Sequence, residues 1–224
     1  MYKLHGAGEL SGVMEGNSRK RAEPYDHITG AILAGGLSTR YGQNKAFLEL
    51  AGIRLIDRVV AEMKKIFRDV ILIANERGHY EYLGVPVVED VIKGLGPLGA
   101  IYTGLMRISN ETGFFVACDM PFINAQLVRY MVDIRDNYAA VVPSGAAGIE
   151  PLHAIYTRAC LAPIKDLLNA QQYQVRLFYE RVSVRYVTPE EIRKFVSPQT
   201  AFLNINTPDE FARVQRLKKN RARR

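Results

Sequence analysis

The chain contains few cysteines and no long apolar segment. Cys118 and Cys160 are its only two cysteines, which excludes a disulfide framework, and no CxxC pair indicates structural zinc. No apolar run reaches the roughly 18 residues that a membrane-spanning helix needs, so a membrane bundle is excluded as well. We therefore expect a protein of the reducing cytoplasm.

Acidic residues are absent from the end of the chain. Residues 213–224 hold seven Lys or Arg, which equals the formal net charge of +7, so the rest of the chain is neutral. A basic tail at residues 218–224 is typical of a solvated helix end, and a nucleic-acid partner is not expected. Residues 1–27 contain several glycines and no signal-peptide pattern, which predicts a poorly ordered extension.

Residues 28–217 have the size of one domain and alternate between two apolar patterns. Short apolar runs predict strands at residues 28–34, 70–74, 85–88, 114–118, 139–143, 153–156 and 182–187. Helical spacing predicts helices at residues 55–67, 98–108, 126–134 and 161–168, with a last one that begins at Thr207. The alternation predicts a Rossmann-like α/β domain, a mainly parallel sheet with helices on both faces. An antiparallel segment is expected, if anywhere, in the less regular residues 175–202.

The loop after the first predicted strand combines glycines with basic side chains. Residues 33–45 read LAGGLSTRYGQNK. Glycines allow backbone N–H groups to approach an anion closely, and Arg40 and Lys45 add positive charge suited to a triphosphate. The spacing is neither that of a Walker A motif nor GxGxxG. A tight turn with two solvated cations is the alternative, and the combination of Ser38, Arg40 and Lys45 favours phosphate binding.

Two further loops follow predicted strands, at the edge where such sheets bind ligands. Asp119 ends the strand at residues 114–118, and its carboxylate is a suitable ligand for Mg²⁺ together with phosphate oxygens. Its alternative role is to cap the helix that begins near Asn124. Asp90 follows the strand at residues 85–88 and precedes a glycine-rich loop, so it could bind a base or ribose, or simply end the strand.

These segments together resemble a known family. The pattern LAGGxSxRxGxxK at residues 33–45 is similar to the signature loop of the nucleotidyltransferases that modify molybdopterin. Further segments agree in order and spacing: Glu89-Asp90, Gly96-Pro97-Leu98-Gly99, residues 118–122, Pro151-Leu152 and residues 203–208. Over residues 28–217 the chain most resembles the molybdenum cofactor guanylyltransferase family, and residues 203–208 favour its guanylyl branch.

The resemblance implies a nucleotidyltransferase fold and an Mg²⁺-dependent reaction. GMP would pass from GTP to molybdopterin, or its molybdenum form, which gives the guanine dinucleotide cofactor and pyrophosphate. Arg40, Lys45 and Asp119 are implied as catalytic residues, and Asp119 as the metal ligand; Asn204 and Asn206 are implied to bind the pterin. The other residues implied to bind GTP are Leu33, Ala34, Gly35, Gly36, Ser38, Asp90, Gly96, Pro97 and Leu98. Other proteins of molybdenum cofactor synthesis, or enzymes that accept the cofactor, are candidate partners.

The sequence departs from the family pattern at two positions and leaves alternatives open. Tyr41 stands where the family often has Met, and Asn44 where it often has an acid. Gly35-Gly36 favours guanine, because the cytidylyl relatives usually carry a side chain there. The alternatives are use of CTP on molybdopterin, action on a sugar phosphate, nucleotide binding without catalysis, and, from the basic tail, nucleic-acid binding.

Overall fold

The computed structural model describes residues 23–34, 45–91, 94–145 and 148–205. The strands are β1 (Tyr25–Leu33), β2 (Glu49–Leu50), β3 (Ile53–Arg54), β4 (Phe67–Ile73), β5 (Val87–Val88), β6 (Thr112–Ala117), β7 (Ala140–Gly145), β8 (Gly148–Ile149), β9 (His153–Thr157) and β10 (Val184–Val187). The helices are α1 (Leu55–Ile66), α2 (Gly96–Arg107), α3 (Ala125–Asp133), α4 (Leu161–Asn169), α5 (Pro189–Arg193) and α6 (Pro198–Ala201). Short 3-10 segments lie at Lys45–Phe47, Arg77–His79, Glu81–Leu83, Arg158–Cys160 and Val175–Arg181. None of the helices in these ranges combines the length and the apolar character that crossing a membrane requires.

The main sheet has the strand order β10-β7-β9-β6-β1-β4-β5, with β8 paired to β7. β1 pairs in parallel with β4 and β6, β4 pairs in parallel with β5, and β7 pairs in parallel with β10. β9 runs antiparallel to both of its neighbours, β6 and β7. The predicted mainly parallel α/β sheet is confirmed, and β1 lies in its interior.

Helices cover both faces of the sheet, as predicted. The side chains of β1 alternate, so that Ile28 and Ile32 belong to one buried core while Ala31 and Leu33 belong to the other. Helices α1, α3, α5 and α6 contribute to the first core, and α2 and α4 contribute to the second. Such two-sided burial explains why the strand is apolar along most of its length.

Several predicted boundaries differ from the structure by a few residues, and two of these differences have identifiable reasons. The helix predicted at residues 55–67 ends at Ile66, and Phe67 starts β4 without an intervening loop, stacked on Phe114 at a ring distance of 5.6 Å. The strand predicted at residues 85–88 contains only Val87–Val88. Pro86 lacks an N–H to donate, although its carbonyl still accepts a bond from Leu72 N at 2.9 Å.

The antiparallel strand of the main sheet lies outside the irregular interval 175–202. The interval 175–202 contains β10, which is parallel to β7, whereas the antiparallel strand is β9. A parallel crossover needs a dozen or more residues, and only residues 146–152 separate β7 from β9. The helix predicted from Thr207, most of the extension and the basic tail lie outside the described residues. β1 already begins at Tyr25, before residue 28, and the predicted domain limits stay predictions.

His153 lies fully buried at the start of β9. Its ring makes edge contacts with Phe114 and Phe202, each at a centroid distance of 5.1 Å. Neither ring nitrogen has a hydrogen-bond partner among the residues that the structure describes. Burial lowers the pKa of His153 to about 4, from its ordinary value of 6.5, because the charged ring would be desolvated.

We expect His153 to make the fold less stable in acid. Between pH 6.5 and 4 the unfolded chain binds a proton at this residue that the folded chain does not, so stability falls as the pH falls. A difference of about 2.5 pKa units corresponds to about 3 kcal/mol of unfolding free energy. The partly buried Glu150, whose pKa burial raises to about 7, changes stability in the opposite direction between pH 7 and 4.5.

The comparison of wild type with His153→Gln isolates the histidine, since Glu150 is present in both. Urea unfolding at a series of pH values should show the wild type losing about 3 kcal/mol relative to the variant between pH 7.5 and 4. If the difference in unfolding free energy between wild type and His153→Gln stayed constant across this pH range, the assignment of His153 as buried and neutral would be contradicted.

Candidate active site

The ends of three parallel strands bring the predicted nucleotide positions together. Ala34 N donates to Ile73 O at 2.9 Å, at the end of β4, and Cys118 N donates to Leu33 O at 3.0 Å, at the end of β6. The backbone of Leu33 and Ala34 therefore lies between the carboxyl ends of β4 and β6. Ligands of open parallel sheets bind at this edge.

Lys45 and Asp119 are electrostatically coupled at this edge, through the effect of the lysine charge on the pKa of the carboxyl. Lys45 opens the segment Lys45–Phe47, which is anchored because the side chain of Ala46 is fully buried in the core. Burial raises the pKa of the partly buried Asp119 carboxyl, and the positive charge of Lys45 acts in the opposite direction. The charge of Lys45, at the end of the predicted phosphate loop, therefore acts on the carboxyl of Asp119, the residue predicted to hold the metal.

Asp119 does not cap the helix that follows it. Asn124 is the N-cap of α3, and its side chain accepts a hydrogen bond from Leu127 N at 2.9 Å. Asp119 lies five residues earlier, in a turn that is closed by Met120 N donating to Ala117 O at 3.1 Å. The capping alternative is therefore wrong, and the carboxylate of Asp119 remains available at the sheet edge.

Asp90 is oriented by a residue that the sequence analysis missed. Asn75 follows β4, and its Nδ2 donates to Asp90 Oδ2 at 3.2 Å. The next residue, Val91, is held to α2 through its N–H, which donates to Thr103 Oγ1 at 3.0 Å. A polar residue directly after the apolar run 70–74 was the signal that could have identified Asn75.

The start of α2 lies beside Asp90 in the chain. Gly96 adopts a left-handed conformation with φ +62°, and it is followed by Pro97 in the first turn of the helix. Gly96 and Pro97 are exposed, whereas Leu98 is fully buried in the core. Leu98 therefore positions the helix, and the exposed pair remains able to border a ligand.

The segment 202–205 borders the other side of Asp119. Ile205 N donates to Asp119 O at 2.9 Å, and Asn204 is exposed beside it. Asn204, one of the two residues predicted to contact the pterin, therefore lies near Asp119, the predicted metal ligand. The other, Asn206, lies outside the described residues, as do Gly35, Gly36, Ser38 and Arg40, so their roles stay predictions.

Asp119 is compatible with a magnesium ion, whereas Cys118 is not a candidate nucleophile. Burial raises the pKa of the Cys118 thiol to about 12, so the thiol stays protonated at neutral pH. In the described part of the chain, no three His, Cys, Asp or Glu side chains form a metal-binding group. Mg²⁺ commonly uses only one or two carboxylates together with substrate phosphates and water, and Asp119 fits that mode.

The fold and this edge define a nucleotidyltransferase: a mainly parallel α/β sheet with a glycine-rich basic loop after its first strand and an acid after the neighbouring one. The chain belongs to the family described as the MobA-like NTP transferase domain, whose model matches residues 30–185. The family predicted from the sequence motifs is confirmed.

Relatives and solved structures agree with this assignment. A probable molybdenum cofactor guanylyltransferase from Pelotomaculum thermopropionicum is 38% identical over 192 residues, which is 86% of this chain and 94% of the relative. A molybdenum cofactor guanylyltransferase from Desulfosudis oleivorans is 34% identical and covers 85% of this chain and 95% of its own length. The crystal structure of molybdopterin-guanine dinucleotide biosynthesis protein A from Archaeoglobus fulgidus has the same fold, with a TM-score of 0.73 at 24% identity, covering 86% of this chain and 99% of the other.

Proposed function

We propose that the protein transfers GMP from GTP to molybdopterin, or to its molybdenum form, and releases pyrophosphate. The observation that carries the proposal is that the hydrogen-bonded ends of β1, β4 and β6 bring Leu33, Ala34 and Asp119 to one edge of the sheet. Asp90 and Asn75 lie towards one end of the sheet edge, and the segment 202–205 borders Asp119 on the other side. The names of the relatives support GTP as the nucleotide and a molybdenum cofactor as the product.

The chemistry needs alignment and charge neutralisation rather than a general base. A phosphate oxygen of molybdopterin forms a bond to the α-phosphorus of GTP, and the bond from that phosphorus to the β-bridging oxygen breaks as pyrophosphate leaves. The attacking phosphate is already ionised at pH 7. Lys45 and the predicted Arg40 offset the negative charge and align the phosphates. Mg²⁺, held by Asp119, supplies further positive charge when it is bound.

Asp90 is suited to select guanine. Guanine presents a ring N–H and an amino group side by side, and a carboxylate can accept both hydrogen bonds. The amide of Asn75 fixes the orientation of Asp90 by its bond of 3.2 Å. Adenine lacks this pair of adjacent donors, so its binding would leave the carboxylate without them.

The product distribution tests the proposed function. The protein is incubated with molybdopterin, Mg²⁺ and each of the four nucleoside triphosphates, and the dinucleotide is identified by its mass. GTP alone should yield product. Product from CTP at the same rate would favour cytidylyl transfer, and binding of GTP without product from any triphosphate would favour a nucleotide-binding protein that does not catalyse.

Replacement of Asp90 by asparagine should weaken GTP binding. The side-chain amide of the new asparagine has one acceptor oxygen, so it cannot accept hydrogen bonds from both the ring N–H and the amino group of guanine in the way that a carboxylate does. We therefore expect KM for GTP to rise roughly tenfold to 100-fold, with a much smaller change in kcat. Steady-state kinetics at saturating molybdopterin measure both constants. Glu76→Gln removes an exposed acid from the same region and serves as the control. Equal KM values for Asp90→Asn and wild type would remove Asp90 from base recognition.

The proposed function also specifies a metal ion, a cellular compartment and the enzymes that receive the product. We propose Mg²⁺ as the ion that Asp119 binds, since a carboxylate beside phosphates suits a hard cation. Cys118 and Cys160 are free thiols, which is compatible with the reducing cytoplasm. Enzymes that use the guanine dinucleotide cofactor are the partners that we expect downstream.

A further inference from the structure

Glu150 reaches the same edge of the sheet from the other side of Asp119. The strand β8 folds back on β7, and Glu150 N then donates to Pro143 O at 2.8 Å. β9 starts three residues later, with His153 in register with Val116 near the end of β6. Because β9 is antiparallel, the residues that precede it lie at the carboxyl end of the parallel strands.

The carboxylate of Glu150 lies over the backbone of Gly145 and beside Phe202. A Cβ atom on Gly145 would be 3.0 Å from Glu150 Oε1, 3.5 Å from Glu150 Cγ and 3.3 Å from Phe202 Cδ2. The missing side chain of Gly145 therefore leaves the space that Glu150 occupies.

Glu150 is partly removed from water without an obvious structural reason. Within the described residues, its carboxylate makes neither an ion pair nor a hydrogen bond, and burial raises its pKa to about 7. Glu191 in α5 is the contrast, since it binds Arg185 and Tyr130 and its pKa is lowered to about 2. A desolvated carboxylate that lacks donors destabilises the fold, and donors brought by a ligand would offset that cost.

One short segment connects Glu150 to the proposed reaction site. Phe202, which packs near the Glu150 carboxylate, is followed within three residues by Ile205, whose N–H binds Asp119 O. Asp90 and Asn75 lie beyond the opposite side of Asp119, at the ends of β5 and β4. Glu150 therefore borders the space on the far side of Asp119 from the nucleotide, which is where the acceptor must approach.

We propose that Glu150 binds the pterin ring of the acceptor, through the amino group and the adjacent ring N–H of its aminopyrimidinone edge. This inference rests on the proposed function, which supplies the pterin. Among the described residues no cation forms an ion pair with Glu150, so its carboxylate repels the acceptor's phosphate and favours the end of the acceptor that carries hydrogen-bond donors. Two parallel N–H···O bonds to one carboxylate match that edge and would fix the ring while the phosphate attacks.

Pterin binding can be measured without turnover. Neopterin monophosphate is fluorescent, and its titration with the full chain gives a dissociation constant for wild type, Glu150→Gln and Gly145→Ala. Glu150→Gln should weaken binding roughly tenfold or more, because it replaces one acceptor oxygen by a donor. Gly145→Ala should act in the same direction, since the new Cβ displaces the carboxylate but leaves its charge intact. Glu111→Gln, an exposed change at the opposite end of β6, is the control.

Turnover then separates the pterin contact from the rest of the site. With molybdopterin as acceptor, Glu150→Gln should raise KM for molybdopterin by a similar factor and leave KM for GTP within about twofold of wild type. Unchanged pterin affinity and KM in a folded Glu150→Gln protein would overturn the inference, even if wild type forms the dinucleotide. A wild type that forms no dinucleotide would instead refute the proposed function, and the titration would still decide whether Glu150 binds a pterin.

Discussion

Asp119→Asn should abolish most turnover while the melting temperature stays the same or rises slightly. The amide keeps the size of the side chain but removes the charge that Mg²⁺ and the phosphates require, so we expect kcat to fall roughly 100-fold or more. Stability should not fall, because burial already disfavours the ionised carboxyl and the helix cap is provided by Asn124. Thermal unfolding and a kinetic Mg²⁺ titration measure the two effects separately.

The outcome for Asp119→Asn distinguishes the metal role from a structural one. A large loss of melting temperature together with near-normal kcat would mean that Asp119 supports the fold, and the metal would then have to bind elsewhere, with Asp90 the next candidate. Asp133→Asn, at the end of α3 and distant in the chain from the sheet edge, is a matched control that should change neither quantity.

Lys45→Ala should lower kcat/KM for GTP by roughly 100-fold, the second large effect that we expect. The ammonium group contributes charge to the phosphates, and charge-assisted contacts in a partly buried site are the strong ones. The fold should survive, because Ala46 and not Lys45 anchors this segment in the core. Kinetics over a range of GTP concentrations, with circular dichroism of the same sample, give both results.

Lys65→Ala provides the comparison for Lys45. Lys65 is an exposed lysine on α1 that pairs with Glu62, so its removal takes away the same charge at a distance from the site. Unchanged GTP kinetics for Lys45→Ala, or an equal loss for Lys65→Ala, would show that the effect is one of general surface charge.

The parts of the fold that the sequence predicts well are those in which the local pattern and burial agree. β1 and β6 are apolar runs bounded by turn residues, and their positions at the centre of the sheet follow from burial on both faces. The direction of β9 was not predictable from its own residues. An apolar strand has the same sequence pattern in parallel and in antiparallel pairing. The direction of β9 depends instead on the short connection from β7.

The candidate site likewise contains some residues that the sequence predicts and others that it does not. Asp90 and Asp119 were identified because each follows a strand and matches a family motif. Asn75 and Glu150 were missed because their roles depend on tertiary contacts: Asn75 donates to Asp90 across the ends of β4 and β5, and Glu150 lies beside Gly145. Such contacts come from tertiary packing, which the periodicity of a single strand does not contain.

The nucleotide half and the acceptor half of the sheet edge come from different parts of the chain, because β9 is antiparallel and pairs locally with β7. The nucleotide half joins residues that lie far apart, since β1 must pair with both β4 and β6. The acceptor half near Glu150 combines one continuous stretch, residues 140–157, in which β7, β8 and β9 pair locally, with the segment 202–205. Exchange of residues 140–157 together with the segment 202–205 between relatives that share the nucleotide half would therefore change the acceptor without rebuilding the triphosphate site.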